Sequence, residues 1–230
     1  MRNPAAASCT YTYLLASGVG REAVIIDPVK VQLYQYLTVI ADLDLKLVTA
    51  IDTHTHADHI TALGSLRDAA GCVTFMGQHT RADCVSYRVT DGEVLKADGI
   101  ELRALFMPGH TNESFSFVLE GAPAPAVFTG DVLLIRGSRR TDFQGGDARA
   151  SWHSIVNTLF RLPDETTVYP AHDYKGWTAS SIGEERQHNP RLANKTEEQY
   201  IDFMHSLVLP NPAMKDLAIP ANLSCGRVSP

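Results

Sequence analysis

The fold is decided by the stretch Asp52-Thr53-His54-Thr55-His56-Ala57-Asp58-His59. It follows the apolar, β-branched run 47–51, which predicts a buried strand. It precedes 60–70, where apolar residues recur at helical spacing. Histidine and aspartate thus crowd a loop between a strand and a helix, and both are ligand types for zinc and iron. A helix cap needs only one Asp or Thr, such as Asp58 or Thr61. We therefore interpret the loop as a metal site rather than as a solvated capping turn.

Three later apolar segments also end in a histidine or an aspartate. His110 stands on a Pro-Gly turn, Asp131 comes just past a strand-like run, and His172 follows another. A single such residue at a strand end is more often a hydrogen-bonded loop residue than a ligand. Four strand ends that each deliver one predict a metal site. This order, H-x-H-x-D-H, then G-H, G-D and a final His, resembles the metallo-β-lactamase superfamily from about Thr10 to His172.

The periodicity of apolar residues predicts a mixed α/β (α+β) chain. We predict strands over 10–16, 22–26, 47–51, 73–76, 100–106, 115–119, 126–128 and 167–169, and helices over 31–43, 60–70, 148–162 and 197–207. Strands with helices interspersed predict two sheets covered by helices. The resemblance implies the metallo-β-lactamase αββα four-layer sandwich, with the metals at one sheet edge. It also implies a single domain over 1–230 with a short C-terminal extension.

Composition restricts the class of partner and the compartment. The net charge of −6 argues against nucleic acid or an anionic membrane. No apolar run approaches the roughly 20 residues that span a bilayer. Met1 to Ala7 lacks the apolar segment of a signal peptide. We expect the bacterial cytoplasm or, if a transit peptide has been removed, the mitochondrial matrix. The four cysteines form no C-x-x-C pair, which predicts reduced thiols rather than disulfides, including at Cys225.

Counting ligands leaves two kinds of metal chemistry open. All residues for two metals are present: His54, His56 and His110 for one, Asp58, His59 and His172 for the other, and Asp131 between them. A bridging hydroxide would then attack an ester or amide carbonyl. Alternatively, two His and one carboxylate bind a single Fe(II) and leave positions open for substrate and O2.

The residues around these ligands form further motifs. They are Pro108-Gly109-His110-Thr111, Arg140-Thr141-Asp142-Phe143-Gln144, Tyr169-Pro170-Ala171-His172-Asp173-Tyr174, Glu184-Glu185-Arg186, Asn189-Pro190-Arg191, Pro220-Ala221-Asn222 and Cys225-Gly226. These motifs resemble the persulfide dioxygenase (ethylmalonic-encephalopathy protein-like) family of the metallo-β-lactamase superfamily, over nearly the whole chain. Two departures are Thr55, where some relatives have Cys, and Ser138-Arg139, where some have Cys-Gly. Arg139 adds a cation near the substrate entrance.

The resemblance implies a sulfur dioxygenase with one Fe(II) per chain. The enzyme would oxidise glutathione persulfide with O2 and water to sulfite and glutathione, a step of sulfur metabolism and hydrogen sulfide detoxification. The iron would be held by His54, His110 and Asp131. The remnant of an ancestral second metal site would orient these ligands by hydrogen bonds; its residues are His56, Asp58, His59 and His172.

Glutathione carries two carboxylates, so guanidinium groups are candidate substrate ligands. The candidates are Arg136, Arg139, Arg140 and Arg186. The alternative for each is an ion pair with Asp142, Asp147 or Glu185. Tyr174 would place its hydroxyl near the reacting sulfur or oxygen, and its alternative is a buried packing residue.

The second candidate function is a binuclear Zn/Fe hydroxyacylglutathione (thioester) hydrolase. Thr55 interrupts the run of histidines usual in such enzymes, and only 58 residues (230 minus 172) follow His172. The expected partners are small molecules, glutathione persulfide and O2. We also predict a homodimer and a separate rhodanese-type sulfurtransferase, since no rhodanese domain is fused here.

Overall fold

The computed structural model describes residues 9–122 and 124–227. The prediction about Met1 to Ala7 lies outside the described residues. The strands are β1 Tyr13–Ala16, β2 Glu22–Ile26, β3 Lys46–Ile51, β4 Val73–Gly77, β5 Tyr87–Val89, β6 Val94–Ala97, β7 Ile100–Phe106, β8 Phe115–Glu120, β9 Ala126–Gly130, β10 Leu133–Leu134, β11 Gly137–Ser138, β12 Thr167–Pro170 and β13 Ser180–Ser181. The α-helices are α1 Leu33–Asp42, α2 Leu63–Ala70, α3 Ala148–Trp152, α4 Ile182–His188, α5 Glu197–Ser206 and α6 Lys215–Leu223.

The chain forms two compact units. Unit 1 comprises the described residues of Met1–Val89, Leu95–Glu101 and Asn211–Pro230, and unit 2 comprises Thr90–Val94 and Leu102–Pro210. The single domain over 1–230 therefore stays a prediction. Among the described residues, no helix combines the length and the apolar character needed to cross a bilayer.

Unit 1 is built on a five-stranded sheet of order β1-β2-β3-β4-β5. β1 is antiparallel to β2, whereas β2 to β5 run parallel. The carboxyl ends of β2 and β3 therefore lie at the same edge, where the Asp27 N–H donates to the Ile51 carbonyl at 2.8 Å. Apolar residues of the sheet pack with those of α1, α2 and the C-terminal residues around Cys225. This edge is where the predicted metal loop, 52–59, begins.

Unit 2 contains most of a six-stranded sheet of order β13-β12-β9-β8-β7-β6. β9 and β12 are parallel neighbours, and Gly130 is paired with Pro170. The two strands thus end side by side, just before Asp131 and His172. β8 and β9 form the predicted antiparallel pair. The unit has its own core, which includes Leu133, Ile155 and Tyr200.

The predicted helix 148–162 is interrupted. α3 ends at Trp152, a π-helical segment covers His153–Thr158, and a 3-10 turn covers Leu159–Arg161. Ile155 and Leu159 are nevertheless fully buried, as the apolar spacing predicts. The wider helical turn thus keeps the same residues in the core. α4 and α6 have no counterpart in the prediction, and α6 carries Pro220 inside it.

The prediction of reduced thiols is wrong for two of the four cysteines. Cys84, between β4 and β5, forms a disulfide with Cys225, just after α6. Cys9 and Cys72 are free thiols, exposed and buried respectively. The two bonded cysteines stand 141 residues apart in the sequence, so spacing could not reveal the pair. Packing of the C-terminal residues against the rest of unit 1 brings the two cysteines together.

We expect the variant Cys84→Ser to lower the free energy of unfolding by about 2–5 kcal/mol, because a disulfide that closes a long loop constrains the unfolded chain. Urea unfolding in oxidising buffer measures the loss. Cys9→Ser, which removes a free and exposed thiol, is the matched control and should change little. With excess dithiothreitol, wild type and Cys84→Ser should become equally stable. Equal stability already in oxidising buffer would contradict the prediction.

Candidate metal centre

Asp27 organises the metal loop of unit 1. Its carboxylate accepts hydrogen bonds from the Thr53 N–H at 2.8 Å and the Thr53 hydroxyl at 3.1 Å, and its Oδ1 lies 3.0 Å from His56 Nε2. Asp27 is buried and has a left-handed backbone with φ of +51°. Asp27 was not among the site residues predicted from sequence. The available signal was its position directly after β2, the parallel neighbour of β3.

His56 is held at one ring nitrogen only. Burial by itself would lower the pKa of His56, but the charge and hydrogen bond of Asp27 outweigh burial and raise the pKa to about 10. Nδ1 is buried and has no hydrogen-bond partner in the part of the chain that the structure describes. Metal-binding histidines commonly carry a carboxylate on the opposite nitrogen in this way. His56 can therefore offer Nδ1 to a metal, at the cost of displacing a proton.

Unit 1 contains a cluster of three possible ligands. His56, Asp58 and His59 each offer one ligand atom, and these atoms lie within 4.8 Å of one another. Asp27, Asp52 and His56 form a second such group. The Nδ1 atom of His59 lies 3.3 Å from the Thr10 hydroxyl. The first group has the mixed imidazole and carboxylate character of a zinc or iron site.

His54 is buried in the same loop, and its Nδ1 lies 3.0 Å from the hydroxyl of Thr53. Because that hydroxyl in turn donates to Asp27, it is left to accept from the N–H of His54 Nδ1. A neutral His54 would then carry its lone pair on Nε2, the nitrogen through which it could bind a metal.

Unit 2 brings Asp131, His110 and His172 together. Asp131 Oδ1 lies 2.6 Å from His172 Nδ1, and Asp131 Oδ2 lies 2.9 Å from Arg139 Nε. His110 Nδ1 donates to the Arg140 carbonyl at 2.8 Å, which fixes the tautomer with its lone pair on Nε2. That Nε2 lies 3.6 Å from Asp131 Oδ2. Two metal–ligand bonds of about 2.1 Å can span this distance, so both atoms can bind one ion.

The protonation states in unit 2 suit a metal. Burial lowers the pKa of His110 to about 4, despite the nearby charge of Asp131. Burial alone would raise the pKa of Asp131, but Arg139, His172 and His110 together hold it well below its usual value. His110 is thus neutral and Asp131 ionised near pH 7. These are the forms that metals bind, so the donor set fits a metal ion.

All four candidate arginines have partners within unit 2, and three of them pair with acidic residues that are not candidate metal ligands. Arg136 pairs with the buried Glu185 at 2.6 Å. Arg140 forms a two-pronged pair with Asp142 at 2.7 and 2.8 Å. Arg186 pairs with Asp164 and donates to the Phe160 carbonyl. Their assignment as substrate ligands stays a prediction.

The fourth arginine, Arg139, lies against Tyr174. It hydrogen-bonds the phenol oxygen, and its guanidinium carbon lies 5.7 Å from the ring centroid. Tyr174 also stacks on His172, with centroids 6.1 Å apart. With 62% of its surface exposed, Tyr174 is not the buried packing residue of the alternative interpretation. Arg139 and Tyr174 therefore form an accessible polar group beside the ligands of unit 2.

Comparisons with known proteins identify the family of this chain. The family model described as "Metallo-beta-lactamase superfamily" matches residues 10–172. The mouse protein named "Persulfide dioxygenase ETHE1, mitochondrial" is 44% identical over 97% of this chain and 87% of its own length. A more distant relative is a probable hydroxyacylglutathione hydrolase of Schizosaccharomyces pombe, 33% identical over 71% of this chain and 64% of its own length.

A solved structure confirms the fold class. The crystal structure of ETHE1 from Myxococcus xanthus matches this chain with a TM-score of 0.92 and 46% identity, covering 96% of each chain. The metallo-β-lactamase fold and the family predicted from the motifs are both confirmed. The chain therefore belongs to the metallo-β-lactamase superfamily and, within it, to the family of the ETHE1 persulfide dioxygenases.

Proposed function

We propose that this protein is a persulfide dioxygenase that oxidises glutathione persulfide with O2 and water to sulfite and glutathione. The observation that carries the proposal is the 44% identity, over 97% of the chain, to a protein named as a persulfide dioxygenase. The buried residues His54, His110 and Asp131 support it, because two histidines and one carboxylate are the donor types of a non-haem iron site. The hydrolase alternative rests on a relative that matches less of the chain at lower identity.

We propose that His54, His110 and Asp131 hold one Fe(II) per chain. Bound iron would supply one-electron redox chemistry, which lets triplet O2 react with a closed-shell persulfide anion; zinc lacks such chemistry. His110 and Asp131 support the assignment by their neutral and ionised forms.

The neighbouring residues would orient these ligands. His172 and Arg139 each engage one oxygen of Asp131, so they keep the carboxylate ionised and fix its plane. The Arg140 carbonyl keeps the lone pair of His110 on Nε2. Such partners of metal ligands typically change metal affinity or activity by about 10–100-fold. We propose this orienting role for His172 and, within unit 1, for His56, Asp58 and His59.

We propose that Arg139 and Tyr174 contact the substrate. The guanidinium of Arg139 is only partly exposed, and its charge suits a glutathione carboxylate. The exposed Tyr174 hydroxyl beside it can hydrogen-bond to the substrate. The homodimer, the separate rhodanese-type sulfurtransferase and the compartment, mitochondrial matrix or bacterial cytoplasm, remain predictions.

We expect Fe(II)-loaded protein to consume one O2 per glutathione persulfide and to release an equal amount of sulfite. His110→Ala and Asp131→Ala should each reduce the rate by more than about 100-fold, since loss of an orienting partner alone costs about 10–100-fold. An oxygen electrode and a sulfite assay on the same sample measure both. His205→Ala and Asp202→Ala, at exposed positions of α5, are matched controls. No O2 uptake by protein with a full iron site would contradict the proposal.

We expect a second metal to bind at His56, Asp58 and His59 only when zinc is in excess, because zinc binds such sites more tightly than Fe(II) does. Asp58→Ala should then reduce the zinc content from about two to about one per chain by elemental analysis. It should leave a single iron in Fe(II)-loaded protein. Two metals per chain at isolation, together with rapid hydrolysis of an acylglutathione and no O2 uptake, would favour the hydrolase instead.

We expect Arg139→Ala to raise KM for glutathione persulfide by about 10–100-fold, the loss typical of a charge-assisted hydrogen bond. Because Arg139 also contacts Asp131, the iron content of each variant is measured and rates are expressed per iron. Arg149→Ala, which removes an exposed pair with Glu197, is the control. Equal KM values for Arg139→Ala and wild type would exclude Arg139 as a substrate ligand.

A further inference from the structure

One buried side chain from the C-terminal residues of unit 1 forms hydrogen bonds to the metal loop and to Thr61 just after it. The Asn222 amide donates to the carbonyls of His56 and His59, both at 2.8 Å. Its Oδ1 accepts from the Thr61 N–H at 2.9 Å. Asn222 thus satisfies three backbone groups of the loop at once. Carbonyls and N–H groups of a buried loop need such partners, because unpaired ones are costly.

Two further contacts fix the same junction. The Gly64 N–H, at the start of α2, donates to the Cys225 carbonyl at 3.0 Å, and a Cβ at Gly64 would lie 2.6 Å from that oxygen. Gly226 has φ of +80°, and a Cβ there would lie 2.0 Å from the Thr61 carbonyl. We call the C-terminal residues 222–226 the clamp. At Gly64 and Gly226 the backbones of the clamp and of the segment that follows the metal loop approach each other as closely as glycine allows.

The disulfide attaches the clamp to another part of unit 1. Cys225 belongs to the clamp, and Cys84 lies in the segment between β4 and β5. Cys225 is almost fully buried, whereas Cys84 is partly exposed. A thiolate from solution would therefore attack Cys84 more readily. The disulfide is attached to the clamp at Cys225, three residues after Asn222 in the sequence.

We propose that Asn222 is a positioning residue for the metal loop and that the Cys84–Cys225 disulfide makes its hold dependent on the thiol redox state. With the disulfide intact, the clamp is fixed and the loop is held for metal binding. With the disulfide reduced, the clamp is anchored by non-covalent contacts alone and the loop opens more often. The link to iron rests on the proposed function; the effect on the loop does not.

The redox step is thiol–disulfide exchange with a low-molecular-weight thiol such as glutathione. A first thiolate attacks the Cys84 sulfur, forms a mixed disulfide and releases the Cys225 thiolate, which takes up a proton. A second thiolate attacks the added thiol's sulfur, releases the Cys84 thiolate, which is protonated in turn, and leaves as the symmetrical disulfide. Two electrons and two protons pass from two small thiols to the cysteine pair. The reverse reaction restores the bond.

The test compares amide hydrogen exchange of residues 53–61 in metal-free protein. We expect at least about tenfold faster exchange in Asn222→Ala than in wild type. Reduced wild type and Cys84→Ser should both show an intermediate increase. Arg227→Ala is the matched control, because it removes an exposed pair with Asp68 from the same C-terminal residues. Exchange in β9 of unit 2 serves as the internal reference.

Fe(II) affinity is the second readout. The dissociation constant should rise about 10–100-fold in Asn222→Ala, as for other partners of metal ligands, and less in reduced wild type. Unchanged loop exchange in Asn222→Ala would overturn the positioning role. Unchanged exchange on reduction would overturn the redox part. Redox-dependent loop exchange in a protein that takes up no O2 would leave the inference standing and remove only the proposed dioxygenase activity.

Discussion

Parallel pairing places the carboxyl ends of neighbouring strands at the same edge of a sheet, and the candidate ligands of each unit depend on this constraint. In unit 1 it sets Asp27, after β2, beside the loop that follows β3, so that one carboxylate can hold Thr53 and His56. In unit 2 it sets Asp131, after β9, beside His172, after β12. The order of the parallel strands thus brings each buried aspartate, Asp27 and Asp131, next to its histidine partner.

The longer strands were largely predictable from sequence, whereas β5, β6 and the two-residue strands β10, β11 and β13 were not. β2 and β7 match their predicted bounds, and β3 and β9 differ by one or two residues. Short apolar runs, alternating or continuous, are typical of strands, so these bounds can be located from sequence. The helices were harder. The interruption after Trp152 leaves the apolar spacing intact, so periodicity cannot reveal it. α6 was missed because Pro220 argues against a helix and packing overrides that local preference.

The candidate ligands were predictable because four apolar runs each end in His or Asp, a combination that indicates a metal site although one such residue would not. The residues that hold the ligands and the metal loop in place were not predictable. Asp27 and Asn222 act on backbone and ring atoms far away in sequence, and single residues of these types are common in turns and caps. The disulfide was missed for the same reason, since 141 residues separate its cysteines. Contacts of this kind are set by tertiary structure, and composition argued against the bond.

The contact between Asn222 and the carbonyls of His56 and His59 also has a consequence for biosynthesis. Asn222 follows His56 by 166 positions and His59 by 163 positions in the sequence. The two histidines therefore leave the ribosome long before Asn222 does. Domains can fold while synthesis continues, at about 5–20 residues per second. A nascent chain cannot form these hydrogen bonds until Asn222 has emerged. Metal acquired earlier would meet an incompletely formed loop, so the geometry favours loading after translation.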